Sequence, residues 1–225
     1  MKKLSIVITL LVLFAVGYLL MQKPGMDNTD KDQRVMTDLP WIIETDNHGG
    51  SRVFGLDIGK STIHDAVKIF SSEVEIGIFL DPDNSLSLEA YFDSVRLSGL
   101  LARVVLEIDA TQDELHQMAT RAIEKKAMPS NAWQFRLPND IKQQLMMRQF
   151  ISLSYMPKID IENDILVKRF GQPDSTIKID DSNQFWLYPK KGLVIAADED
   201  GKELFQYVRP DEFERLQQAI STSLQ

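Results

Sequence analysis

Hydrophobic and polar positions divide the chain into one long apolar run, one acidic stretch and a succession of short periodic segments. Lys2 and Lys3 precede an uncharged run, residues 4–21, which Gln22, Lys23, Pro24 and Gly25 close. At ~1.5 Å of rise per residue such a run reaches roughly 27 Å as a helix, the thickness of a bilayer's hydrocarbon core. It predicts a membrane anchor, with the two lysines holding a short tail in the cytoplasm and the remainder outside. Ala15-Val16-Gly17 offers small residues for signal cleavage, but a cut there would leave Tyr18-Leu19-Leu20-Met21 as an apolar stub. A lipoprotein anchor is excluded, because the chain contains no cysteine to carry it.

Residues 26–50 carry Asp27, Asp30, Asp32, Asp38, Glu44 and Asp46 and few apolar positions before Trp41-Ile42-Ile43, the pattern of a solvated tether. Beyond it Ile63, Ala66, Val67 and Phe70 recur at i, i+3, i+4 and i+7, which predicts a helix after Gly59-Lys60-Ser61-Thr62. Three alternating stretches follow: Val74 to Leu80, Leu86 to Phe92 and Ala102 to Ile108. Thr111 and Glu114 have capping-box spacing, and Leu115, Met118, Ala119, Ala122 and Ile123 form the stripe of an amphipathic helix. Residues 128–150, broken by Pro129 and Pro138, read as a connector with a short helix near Ile141 to Met147. Alternation resumes at Ile151 to Met156, and Val167, Lys168 and Phe170 then repeat Val67, Lys68 and Phe70 at a constant offset. Strands are expected at Thr176 to Ile179, Gln184 to Tyr188, Leu193 to Ala197 and Leu204 to Val208. Pro210 opens a last helix with Phe213, Leu216, Ile220 and Leu224 on one side.

The stretch 167–208, with a helix ending at Gly171-Gln172-Pro173 and a sheet bearing Trp186 and Tyr188, resembles the small SmpA/OmlA (BamE-like) envelope domains. Gly59-Lys60-Ser61-Thr62 resembles the helix entry of the same family, and a tandem of two such units is similar in architecture to the β-lactamase inhibitor proteins. The resemblance implies non-catalytic, protein-binding modules with no catalytic residues to carry over. The expected fold class is α+β, an N-terminal transmembrane helix followed by two helix-plus-antiparallel-sheet modules. The expected divisions are 1–25 anchor, 26–50 tether, 51–127 first module, 128–150 connector and 151–225 second module.

Charge and residue chemistry narrow the function further. With 25 basic and 33 acidic residues the net charge is −8, which disfavours nucleic acid as a partner. The absence of cysteine removes disulfides, thiolate metal ligands and cysteine nucleophiles together. His48, His64 and His116 have no i, i+4 pairing that would aim two imidazoles at one metal ion, so no metal site is expected. Phe54 stands where a phosphate loop ending in Gly59-Lys60-Ser61 needs its first glycine, so no nucleotide or other cofactor is expected and Ser61 or Thr62 reads as a helix cap. No catalytic residues are assigned. The aromatic concentration supplies the candidate partner-binding patch, Trp186, Tyr188, Phe205 and Tyr207. The sequence thus predicts a single-pass protein of the bacterial inner membrane, with residues 4–21 in the bilayer. Its periplasmic part would be a non-catalytic binding or assembly factor for envelope proteins. The alternatives are a hydrolase with dispersed catalytic residues and a protein inhibitor of an envelope enzyme.

Overall fold

The structure, a computed structural model, describes residues 39–81, 84–128, 131–198 and 203–223. Strands β1 (Ile43–Thr45), β2 (Ser51–Val53) and β3 (Leu56–Asp57) form a small antiparallel sheet. Phe54 and Gly55, at φ 53° and 77°, make the two-residue turn between β2 and β3. Positive φ is unusual for a bulky residue, and here the Phe54 ring is buried against Phe70, Tyr155 and Tyr207 at centroid distances of 5.1–6.1 Å. The core holds the turn in shape.

Helix α1 (Ile63–Ile69) begins where Thr62 and Asp65 exchange side-chain-to-backbone hydrogen bonds, and it buries Ile63 and Ala66. Strands β4 (Glu75–Leu80), β5 (Leu86–Leu97) and β6 (Leu100–Ile108) follow as a meander, then α2 (Gln112–Thr120), capped by Thr111 and Glu114 in the same reciprocal way. Next come the hairpin β7 (Glu124–Ala127) and β8 (Trp133–Arg136), then α3 (Asn139–Leu145), β9 (Phe150–Pro157) and α4 (Asn163–Phe170). The remainder is β10 (Ser175–Lys178), β11 (Asn183–Tyr188), β12 (Leu193–Asp198), β13 (Leu204–Val208) and α5 (Phe213–Ser223). The strands β4 to β13 form one antiparallel sheet in the order β10-β11-β12-β13-β9-β6-β5-β4-β8-β7.

Directly paired residues share a face of a sheet. Trp186, Ile195, Phe205, Tyr155, Val104 and Phe92 are successive partners across six strands and form one apolar row. Helices α1 and α4 both pack on that face, with Phe70 5.3 Å from Phe92 and Phe170 5.3 Å from Phe205 between ring centroids. Leu115 of α2 and Ile141 and Leu145 of α3 belong to the same core. Helix α5 instead covers Phe185, Leu187, Val194 and Val208 on the opposite face.

This arrangement corrects the expected architecture. The fold is mostly antiparallel sheet, with one core running through both halves, where two helix-plus-sheet modules were expected. Strands β6 and β13 both run antiparallel to β9 and therefore parallel to each other. Outward from them the chain order runs β5, β4 on one side and β12, β11 on the other, with α1 and α4 on a common face. The halves are mirror-related in topology, and no rotation superposes mirror images, so the matched Val67/Phe70 and Val167/Phe170 do not mark a tandem repeat. Among the described residues no helix is long and apolar enough to cross a membrane, the longest having 11 residues. The 4–21 run lies outside the described residues, and the expected transmembrane helix and signal anchor find no support in the fold. The stripe assigned to α2 also ends early: the helix stops at Thr120, and Ile123 lies outside it.

Phe70 and Phe170 both anchor helices on one shared core, so truncating either should cost about 3 to 5 kcal/mol, against a few tenths for the exposed Lys68 and Lys168. Chemical denaturation of the four alanine variants should show a single transition with an unchanged slope, shifted only in Phe70→Ala and Phe170→Ala. Two separate transitions would reinstate independent modules.

Candidate functional site

The four aromatic residues of the expected patch lie inside the protein. Trp186, Tyr188, Phe205 and Tyr207 are 6%, 2%, 0% and 1% exposed and sit on the face covered by α1, α4 and the small sheet. The Tyr188 hydroxyl donates to the Gly171 carbonyl (3.0 Å), and the Tyr207 hydroxyl donates to that of Pro40 (2.8 Å). These rings hold the N-terminal strands and α4 onto the sheet, and they leave the surface to other residues.

The opposite face carries an unexpected feature. Glu89 on β5 is paired directly with Glu107 on β6, which is paired with Ser152 on β9. Both carboxyl side chains are buried, each 3% exposed. The Ser87 hydroxyl donates to Glu89 (3.0 Å), and Gln206 donates to the Ser152 hydroxyl (3.4 Å), so the polar side chains Ser87, Glu89, Glu107, Ser152 and Gln206 run across four strands. Burial pushes the Glu89 carboxyl up to about 7, and the neighbouring Glu107 adds to the rise while Ser87 opposes it. Sequence reading missed the pair because Glu89 and Glu107 lie 18 positions apart in a chain rich in carboxylates, and only the β5–β6 register brings them together.

A third arrangement stands at the surface. Helices α2 and α3 enclose a cleft of about 250 Å³ lined by Glu114, Gln117, Met118, Arg121, Ile141, Gln144, Leu145 and Arg148. Arg121 pairs with Asp140 across it (2.7 Å), and Arg148 with Glu114. The Thr111 backbone and then Arg148 hold the Glu114 carboxyl below the usual carboxylate range. Ile123, two residues beyond Arg121, is 60% exposed, and Met147, next to Arg148, is 67% exposed. Trp133 on β8 is 39% exposed, with the Lys125 ammonium 4.4 Å from its ring centroid. Of the five large apolar side chains exposed among the described residues, Trp133 stands on β8 and Ile123 just before β7, its amide donating to the Arg136 carbonyl (2.9 Å), whereas Met147 precedes β9 and Ile159 and Ile165 lie towards α4.

The loop at Gly59 has other work. The Gly59 amide donates to Phe150 (2.9 Å), and those of Lys60 and Ser61 donate to Asp57 (3.1 and 2.8 Å), so the backbone donors that a phosphate would need are committed inside the fold. Of the two candidate caps, Thr62 caps α1, while the Ser61 hydroxyl accepts from the Asp57 amide (2.9 Å).

No protein-family model matches the chain, and neither a curated protein nor a solved structure was found to match it. The resemblance to the SmpA/OmlA domains gains nothing from these comparisons, and the functional reading rests on geometry alone.

The Glu89 carboxyl makes the fold pH-sensitive. Its folded pKa, about 7, lies above its ordinary value of 4.5, so the folded state holds the extra proton between those limits, and stability falls as pH rises through that window. Glu203, also raised to about 7 by burial, contributes in the same direction. Glu89→Gln should therefore flatten the decline between pH 4.5 and 7 by up to roughly 3 kcal/mol and leave the Glu203 part in place. Urea melts at half-unit pH intervals test this, and an unchanged slope in the variant would remove Glu89 as its source.

Proposed function

We propose that the protein is a non-catalytic binding or assembly factor that holds another protein at the β7–β8 end of its sheet. The observation that carries this reading is the exposure of Ile123 and Trp133 at the β7–β8 hairpin, with Ile123 two residues from Arg121 and the exposed Met147 next to Arg148, the two arginines that line the α2–α3 cleft. Exposed apolar side chains and arginines supply what a protein interface uses: area to remove from water, at about 25 cal/mol per Å², and planar donors for carboxylates. The cleft is too small to enclose a substantial ligand, since small-molecule sites typically run from about 300 to 1,000 Å³.

A hydrolase would need its acid pair within reach of substrate. Glu89 and Glu107 are paired as acid–base chemistry uses carboxyls, but at 3% exposure neither meets a substrate in this conformation. Their burial supports a structural role.

Photoreactive phenylalanine analogues placed at Ile123 and Met147 should yield discrete adducts in intact cells, and the same probe at Ile165, an exposed isoleucine on α4, should not. Trp133→Ala should weaken the adducts without lowering the melting temperature by more than a few degrees, since the ring is partly exposed. Adducts at Ile165 with none at Ile123 or Met147 would move the interface elsewhere.

A further inference from the structure

Strand β7 is one edge of the ten-stranded sheet and pairs with β8 alone among the described strands. All four of its residues are exposed. The Met128 amide donates to the Ala132 carbonyl (2.9 Å), and the β7–β8 register continues that ladder through Lys126↔Gln134 and Glu124↔Arg136. Antiparallel ladders alternate, so the N–H and C=O groups of Lys126 and Glu124 turn inward to β8, and those of Lys125 and Ala127 turn outward. The edge therefore presents two donors and two acceptors in strand spacing.

Its charges outside ion pairs are of one sign. Glu124 is already paired with Arg136 (2.7 Å), whereas Lys125 and Lys126 take part in no ion pair among the described residues. Lys125 lies over Trp133 and Phe135, 4.4 and 5.1 Å from their centroids. Two copies of this edge would bring lysines against lysines, which disfavours self-pairing. An acidic strand does not meet that obstacle.

Resting on the reading that the β7–β8 end is the binding surface, we propose that β7 takes up an extended acidic segment of the partner protein as an added strand. Backbone groups of Lys125 and Ala127 make the ladder, and the ammonium groups of Lys125 and Lys126 select carboxylate-bearing side chains.

The probe is a fluorescein-labelled Glu-Val-Glu-Val-Glu-Val peptide, with Lys-Val-Lys-Val-Lys-Val as control, titrated against the full chain by anisotropy. The acidic peptide should bind saturably and the basic one should not. Ala127→Pro removes an outward amide and no β7–β8 hydrogen bond, so it should keep the melting temperature and weaken binding by at least roughly tenfold. Lys126→Glu, which leaves the backbone intact, should weaken it by at least about threefold. In hydrogen exchange the Lys125 and Ala127 amides should be fast in the free protein and slow with the acidic peptide present. Several outcomes would overturn the proposal: equal binding of both peptides, no loss in either variant, or β7 amides already slow without peptide. In the last case dependence on protein concentration would identify a second copy, and independence the chain's own acidic residues 26–38. Failure of the peptide to bind while the Ile123 and Met147 adducts persist would reject strand addition and keep the interface.

Discussion

Strand β9 is the constraint on which the rest of the fold depends. It pairs with β6 along one edge and with β13 along the other, so among the described strands it joins the five of one half to the four of the other. Its residues alternate between two environments: Leu153 and Tyr155 enter the apolar core, and Ser152 and Ser154 face the polar side. A slip of one residue would exchange those sets, burying serines under α1 and α4 and turning Leu153 and Tyr155 onto the side of Glu107. Register on β9 therefore fixes which face of both meanders is apolar, and with it which helices can dock there.

The same alternation explains why the second face is chemically mixed. At the β11–β13 end it is apolar and α5 covers it, whereas Val105 and Met156, with Tyr91 and Leu204, make only a small cluster nearer the centre. Beside the small cluster runs the polar line from Ser87 to Gln206. Buried polar groups are costly unless bonded, and the Ser154 hydroxyl and the Gln206 carbonyl oxygen have no hydrogen-bond partner among the described residues. Apolar residues there would be more stable in isolation.

Much of the fold is legible in the sequence, because its local signals are strong. The spacing of Ile63, Ala66 and Phe70, the capping pairs Thr62/Asp65 and Thr111/Glu114, and the alternation from Leu86 to Phe92 each specify an element without help from distant residues. Long-range information is what the sequence hides. The recurrence of Val67 and Phe70 at Val167 and Phe170 reflects the same local requirement, a helix seating a phenylalanine on a sheet, and it carries no information about the order in which strands assemble. Aromatic alternation at Phe185 to Tyr188 marks a strand buried on both faces, with Phe185 and Leu187 under α5 and Trp186 and Tyr188 in the main core. Strand β7 escapes notice because Glu-Lys-Lys-Ala has no apolar alternation, its pairing being imposed by β8.

An open sheet of ten strands has two edges, and both must resist pairing with themselves. The β10 edge is extended by a tight turn, in which Asp180 accepts from the Ser182 and Asn183 amides, and Asp180 and Asp181 place negative charge beside Lys178. The β7 edge relies on Lys125 and Lys126, in a chain whose net charge is −8. Against an acidic background a cationic edge is locally conspicuous to an approaching carboxylate, and its field reaches about one Debye length, ~8 Å at physiological salt. Within that distance the charges that prevent self-association also choose a partner, so protection of the edge and recognition at the edge are the same physical device.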